Sequence, residues 1–247
     1  MGVRLPESIS ACLFDLDGVL TETAVLHAAA WKQAFDELLA RLARPGEQVV
    51  PFDAVADYDD YVDGKPRLDG ARAFLRSRGI DLPEGTAQDP PGTESVYGVA
   101  NRKNDLVLEL MRERGVTVYP GSLRFLEEVR RRSLRTAVVS SSANTVEVLH
   151  AAGLDDLFDA RVDGVVAERE HLAGKPAPDT YLEAARMLDV EPSRAAVFED
   201  ALAGVEAGRA GKFGLVVGVD RVGQAESLLA HGADVAVGDL AELIVPD

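Results

Sequence analysis

Two aspartates one residue apart, Asp15 and Asp17, stand at the end of a short apolar run in "LFDLDGVLTET" (13–23). Like charges that close repel, and burying each costs roughly several kcal/mol unless a positive charge compensates. Three other segments carry polar groups in comparable positions: "SSSAN" (140–144), "GKPAPD" (174–179) with Lys175, and Glu199-Asp200. Carboxylates without His or Cys companions make a hard, oxygen-only site, which suits Mg²⁺. Such a set supports phosphoryl transfer. One ionised aspartate attacks phosphorus, the cation, Lys175 and a hydroxyl absorb charge on the equatorial oxygens, and the second aspartate moves a proton. Taken singly, each piece has a plainer meaning. Serines before a helix cap it, Lys175 is a solvated surface lysine, Asp200 caps a helix, and paired aspartates occur in turns. What sets them apart is their joint placement at successive strand ends.

The elements that would hold them follow from hydrophobic pattern. A first strand covers 10–14, and a long helix starts near Ala24 with Trp31, Phe35, Leu38 and Leu42 at helical spacing, ended by "RPG" at 44–46. From there to 114 the chain reads as helical or irregular, with a Pro- and Gly-rich loop at 81–95 and a helix over 96–111. The second half alternates strands predicted at 135–140, 194–198, 213–219 and 233–237 with helices near 121–132, 143–152, 178–188 and 201–210. Continuous apolar strands alternating with helices predict a parallel sheet covered on both faces. The expected class is therefore α/β, its core interrupted after the first strand by a helical insertion. Ligands of such sheets bind beyond the carboxyl ends of the strands, where the polar groups above fall.

Bulk properties narrow the function. The 247 residues carry a formal charge of −16, which argues against nucleic acid and anionic membrane as partners. The N-terminal "MGVRLPESIS" lacks a secretory apolar segment, and Pro6 stands where a myristoylation signal wants Ser or Thr. A single cysteine, Cys12, excludes an internal disulfide and fits a reducing cytoplasm. A monomer is expected.

In this order, "DLDGVLTET", "SSSAN", "GKPAPD" and "FEDALAGVEA" resemble the haloacid dehalogenase superfamily, and within it the chain is similar to the β-phosphoglucomutase group. The resemblance covers nearly the whole chain. It implies a Rossmann-like parallel-sheet core, residues 1–22 and 115–247, with a helical cap domain, 23–114, inserted after the first strand. It makes Asp15 the nucleophile and Asp17 the acid/base. Mg²⁺ would be held by the Asp15 side chain, the Asp17 carbonyl and Asp200, with Glu199 direct or adjacent. Ser140 and Lys175 would bind the reacting phosphoryl group, Ser141 and Asn144 would line the adjoining pocket, and Thr23 would sit at the hinge into the cap.

In the cap, the resemblance gives His27 a reach toward Asp17, and matches "DGKPR" (63–67) to a substrate-binding loop with Gly64 and with Arg67 as grip for a distal phosphate. The residues alone leave His27 equally a packed histidine on the Trp31/Phe35 stripe, and Arg67 an exposed arginine. Lys103 falls between Val99 and Val107 on an apolar helix face. It either snorkels to water or points into the cleft between cap and core. Asp63 and Ala143 depart from the group, which often has lysine at both positions; Lys65 either compensates for the first or does not. The cap is longer than usual.

The implied activity is a phosphosugar mutase. It would interconvert β-D-glucose 1-phosphate and glucose 6-phosphate through an aspartyl-phosphate and glucose 1,6-bisphosphate. A Mg-dependent sugar-phosphate phosphatase and a noncatalytic binding protein on the same fold are the alternatives.

Overall fold

A computed structural model describes residues 2–46 and 48–245. Its strands are β1 (Gly2–Val3), β2 (Ala11–Phe14), β3 (Arg135–Val139), β4 (Ala160–Val162), β5 (Ala195–Glu199), β6 (Leu215–Val219), β7 (Val235–Val237) and β8 (Ile244–Val245). Six of them form a parallel sheet in the order β4-β3-β2-β5-β6-β7. β1 pairs antiparallel with β8. The chain starts the sheet at β2, builds outward through β3 and β4, then returns to β5 on the other side. That reversal puts a switch point between β2 and β5, the place where open parallel sheets take their ligands.

Alternation along the strands sorts side chains onto two faces. Leu13, Val139 and Val197 join Tyr181 in one apolar cluster. Phe14 and Phe198 turn the other way and stack at 4.7 Å, with Phe125 edge-on to both. Pairing of Leu13 with Val197 and of Phe14 with Phe198 keeps β2 and β5 in step, so the residues that follow, Asp15 and Glu199, come out level. Both belong to the Tyr181 face by the two-residue period.

The chain divides into two compact units, Met1–Glu22 with Val116–Asp247, and Thr23–Gly115. The second is helical, built on Ala24–Leu42, Arg67–Ser77 and Val96–Arg114. Its core joins Trp31, Phe35 and Leu38 to Phe52, Phe74 and Val99. The Trp31 and Phe35 rings stack at 4.8 Å, four residues apart on one helix face. The loop at 81–95 is tied back to the helix that follows it. Ser95 caps that helix by accepting from the Gly98 N–H, and Asn101 donates to the Asp89 carbonyl.

Several elements differ from the sequence-based expectation. The strand predicted over 194–198 runs Ala195–Glu199, so Glu199 ends the strand rather than following it. The last one shortens to Val235–Val237. Unpredicted are β1, β4, β8 and the helices Arg67–Ser77, Gly164–Arg169 and Ala225–Ala230. All but Arg67–Ser77 are six residues or shorter, too short for a periodic signal.

Candidate active site

β2 ends at Phe14, and the Asp15 N–H donates to the Phe198 carbonyl, which extends the ladder one residue beyond the strand. Asp15 thus leaves the sheet on rigid backbone. Lys175 approaches from the loop ahead of the helix Asp179–Met187. Its Nζ donates to Asp15 Oδ1 at 2.5 Å, to the Val139 carbonyl at 3.3 Å, and to Glu199 Oε1. The solvated-lysine meaning is therefore wrong: only 2% of Lys175 is exposed. Glu199 Oε1 also accepts from the Tyr181 hydroxyl at 2.8 Å, and Oε2 accepts from the Ala201 N–H at 3.2 Å.

Carboxylate oxygens of Asp15, Glu199 and Asp200 lie within 4.8 Å of one another, and all three residues are buried. Lys175 pairs with two of the three, Asp15 and Glu199. Burial pushes the Asp15 carboxyl up, Lys175 pulls it down, and Glu199 and Asp17 push it up again, leaving it well above the usual carboxylate range. Burial pulls Lys175 down, but Asp15 and Glu199 outweigh it and hold the ammonium charged. Three carboxyl groups thus crowd one buried, oxygen-lined spot. A divalent cation fits both the charge and the donor type.

Asp17 is partly buried beside this group, and Ser140 Oγ faces its Oδ2 at 3.5 Å. The same Oγ accepts from the Ser142 N–H at 3.1 Å. No serine side chain caps the helix Thr145–Ala152, which corrects the plain capping explanation. Asn144 precedes that helix, its N–H donating to Ser142 Oγ, and Ser141 is partly buried. Asp200 does not cap the following helix either. Its carboxylate packs against Gly18, whose φ of +89° and missing Cβ leave room for it.

In the helical unit, Thr23 is fully buried, and its carbonyl accepts from the N–H groups of Leu26 and His27. Lys103 is 5% exposed, so the snorkelling alternative falls. Its Nζ lies 2.9 Å from His27 Nδ1 and 5.2 Å from the centre of the Trp31 ring. An ammonium has only donors, so His27 Nδ1 accepts and its proton sits on Nε2. Gly64 takes φ +67° in the turn ahead of Arg67, which opens its helix partly buried. Lys65 donates to the Asp60 carbonyl at 2.9 Å.

Sequence reasoning passed over Tyr181, Arg221 and Gln224. Tyr181 supports Glu199 from below. Arg221 and Gln224 bond the backbone of Gly18 and of Asp200. A tyrosine on an apolar helix face and a polar pair in a loop give no local signal.

Asp15 paired with a buried lysine, beside Glu199 and Asp200 at the carboxyl ends of a parallel sheet, is an arrangement that an α/β enzyme can use. The haloacid dehalogenase-like hydrolase family matches residues 9–212. The β-phosphoglucomutase of Mycobacterium bovis is 59% identical over 244 residues, 97% of this chain and 93% of that protein. That of Bacillus subtilis is 32% identical, covering 95% and 92%. The crystal structure of β-phosphoglucomutase from Clostridium difficile superposes with a TM-score of 0.74 at 26% identity, covering 96% and 93%. The chain belongs to the haloacid dehalogenase-like hydrolase family, and within it is similar to the β-phosphoglucomutases.

Proposed function

We propose that this enzyme is a phosphosugar mutase that interconverts β-D-glucose 1-phosphate and glucose 6-phosphate. The observation that carries the proposal is Asp15 itself. It is a buried carboxylate fixed at a strand end, with a charged lysine 2.5 Å away, in a chain 59% identical to a β-phosphoglucomutase.

In this reading an Asp15 carboxylate oxygen bonds to phosphorus as the bond from phosphorus to the sugar oxygen breaks. Asp17 gives its proton to that oxygen. In the opposite half-reaction Asp17 takes the proton of the accepting hydroxyl while the aspartyl-phosphate bond breaks, and glucose 1,6-bisphosphate forms between the two. Mg²⁺, held by Asp15, Asp200 and the Asp17 carbonyl with Glu199 alongside, would neutralise charge on the phosphoryl oxygens. Lys175 and Ser140 bind the same oxygens. Glu199, anchored by Tyr181 and the Ala201 N–H, keeps Lys175 aimed at Asp15.

A mutase must hold a bisphosphate by either end. That task falls to Gly64, Arg67 and Lys103, with Ser141 and Asn144 along the sugar, Thr23 as hinge, and His27 assisting Asp17. A guanidinium fork suits a phosphate. On this reading the substrate is a small phosphorylated sugar, and we further propose a cytoplasmic monomer. Among the described residues no helix is long and apolar enough to cross a membrane.

The test is a product assay with β-glucose 1-phosphate, Mg²⁺ and trace glucose 1,6-bisphosphate. Glucose 6-phosphate should form faster than inorganic phosphate. Rapid phosphate release without isomerisation would identify a phosphatase instead.

A further inference from the structure

We infer that the loop at 220–224, through Arg221 and Gln224, braces the turn after Asp17 against Asp200 and so sets the affinity of the acidic pocket for its divalent cation. This rests on the metal-dependent chemistry proposed above.

Arg221 spends its guanidinium on backbone near the nucleophile. Nε donates to the Gly18 carbonyl at 2.9 Å and Nη2 to the Val19 carbonyl at 3.2 Å. Nη2 also reaches Ser122 Oγ at 3.2 Å, and that hydroxyl donates to the same Val19 carbonyl at 2.6 Å. Nη1 donates to the Gly238 carbonyl at 2.9 Å and lies 3.5 Å from Asp239 Oδ2. The guanidinium carbon sits 3.6 Å from the centre of the Tyr119 ring, so its plane is held as firmly as its edges.

Three residues along the chain, Gln224 Nε2 donates to the Asp200 carbonyl at 3.0 Å. One loop therefore grips both acidic segments. The loop itself is stiff: Asp220 Oδ1 accepts from the N–H groups of Val222, Gly223 and Gln224, and Oδ2 from that of Ala225. On its far side Gly18 meets the Asp200 carboxylate with no room for a Cβ. The Gly18 peptide is thus caught between Arg221 on its carbonyl and Asp200 on its α-carbon. Loosening either hold lets the Asp17 carbonyl and Asp200 drift apart, and partners that orient metal ligands typically cost about 10- to 100-fold in metal affinity when removed.

The experiment is a Mn²⁺ titration of the full chain followed by electron paramagnetic resonance, with Mn²⁺ alone as probe. Gln224→Ala and Arg221→Gln should each weaken Mn²⁺ about tenfold or more. Mutase kcat at saturating metal should fall far less than the metal affinity, and Arg221→Lys, which keeps charge but not the fork, should not restore binding. Affinities within about twofold of the parent for both variants overturn the brace. If Arg221→Gln fails to fold, Gln224→Ala decides alone, since it removes one hydrogen bond from a partly buried side chain. Asp200→Asn is the separate control. Undiminished Mn²⁺ binding there refutes the metal site, whereas lost binding there with unchanged loop variants refutes only the brace.

Discussion

The buried hydroxyl of Tyr181 and the Nζ of Lys175 converge on one oxygen, Glu199 Oε1. The lysine also lies 5.0 Å from the centre of the tyrosine ring, so a single side chain both anchors the carboxylate and walls in the cation it holds. Tyr181→Phe keeps the ring and deletes the anchor. Stability should drop by about 1 kcal/mol for the lost buried hydrogen bond, and kcat several-fold as Lys175 loses its fixed aim. Chemical denaturation and steady-state kinetics on one preparation check both; an unchanged kcat would show that the hydroxyl does not position the lysine.

Gly18 is a second tight point. Its φ is +89°, and an added Cβ would enter the Asp200 carboxylate. Gly18→Ala should cost about 1–3 kcal/mol in backbone strain and displace Asp200. Activity should fall as well, by about a hundredfold or more, which corresponds to about 2.7 kcal/mol or more of transition-state stabilisation. Comparing the melting curve with kcat/KM gives the answer.

Charge in the acidic pocket makes a prediction about metal removal. With chelator present, the carboxylates of Asp15, Glu199 and Asp200 still lie within 4.8 Å of one another, and Lys175 bonds the first two. The wild type should therefore gain stability when Mg²⁺ is restored, by about 2.7 kcal/mol at a hundred times the dissociation constant. Asp200→Asn removes one of the repelling charges. It should melt higher than wild type in chelator and respond little to Mg²⁺, and scanning calorimetry in both buffers reads this directly.

A pH dependence arises in the helical unit. Arg102 forks onto Glu37, Nε to Oε2 and Nη2 to Oε1, both at 2.9 Å, and holds that carboxyl at about 2 rather than 4.5. A lowered folded-state value means the stabilisation is whole above about 4.5 and disappears as the pH falls through about 2. About a third of each side chain is exposed, so solvent screening limits the pair to about 1 kcal/mol. Glu37→Gln should be less stable than wild type by that amount at neutral pH, with the gap closing on acidification. Urea melts at several pH values test it, and a gap that widens toward acid would contradict the assignment.

How far the sequence foretold this arrangement varies residue by residue. Asp15, Ser140 and Asp200 were visible because apolar runs that make buried strands end abruptly at or just before them, and a parallel sheet gathers strand ends on one edge; Lys175 was visible on a loop that prolines set just ahead of a helix. Lys103 was visible as a cation among valines, but not its bond to His27, 76 residues away, which depends on how two helices pack. Tyr181 was hidden because its ring satisfies the apolar pattern of its helix while only its hydroxyl reaches Glu199. Arg221 and Gln224 were hidden because their partners are backbone atoms, and a carbonyl leaves no mark in a residue pattern. β4 escaped because three residues show no period.

The step-by-step match of Leu13 with Val197 and of Phe14 with Phe198 has a consequence for how this enzyme can change. Since Asp15 and Glu199, the two carboxylates that Lys175 bonds, emerge one rung past that ladder, inserting or deleting a single residue in either strand would turn one of them over to the phenylalanine side and separate the two. Point substitutions leave that spacing alone. New chemistry on this scaffold is therefore reached by exchanging side chains, while changes of length belong in the connections.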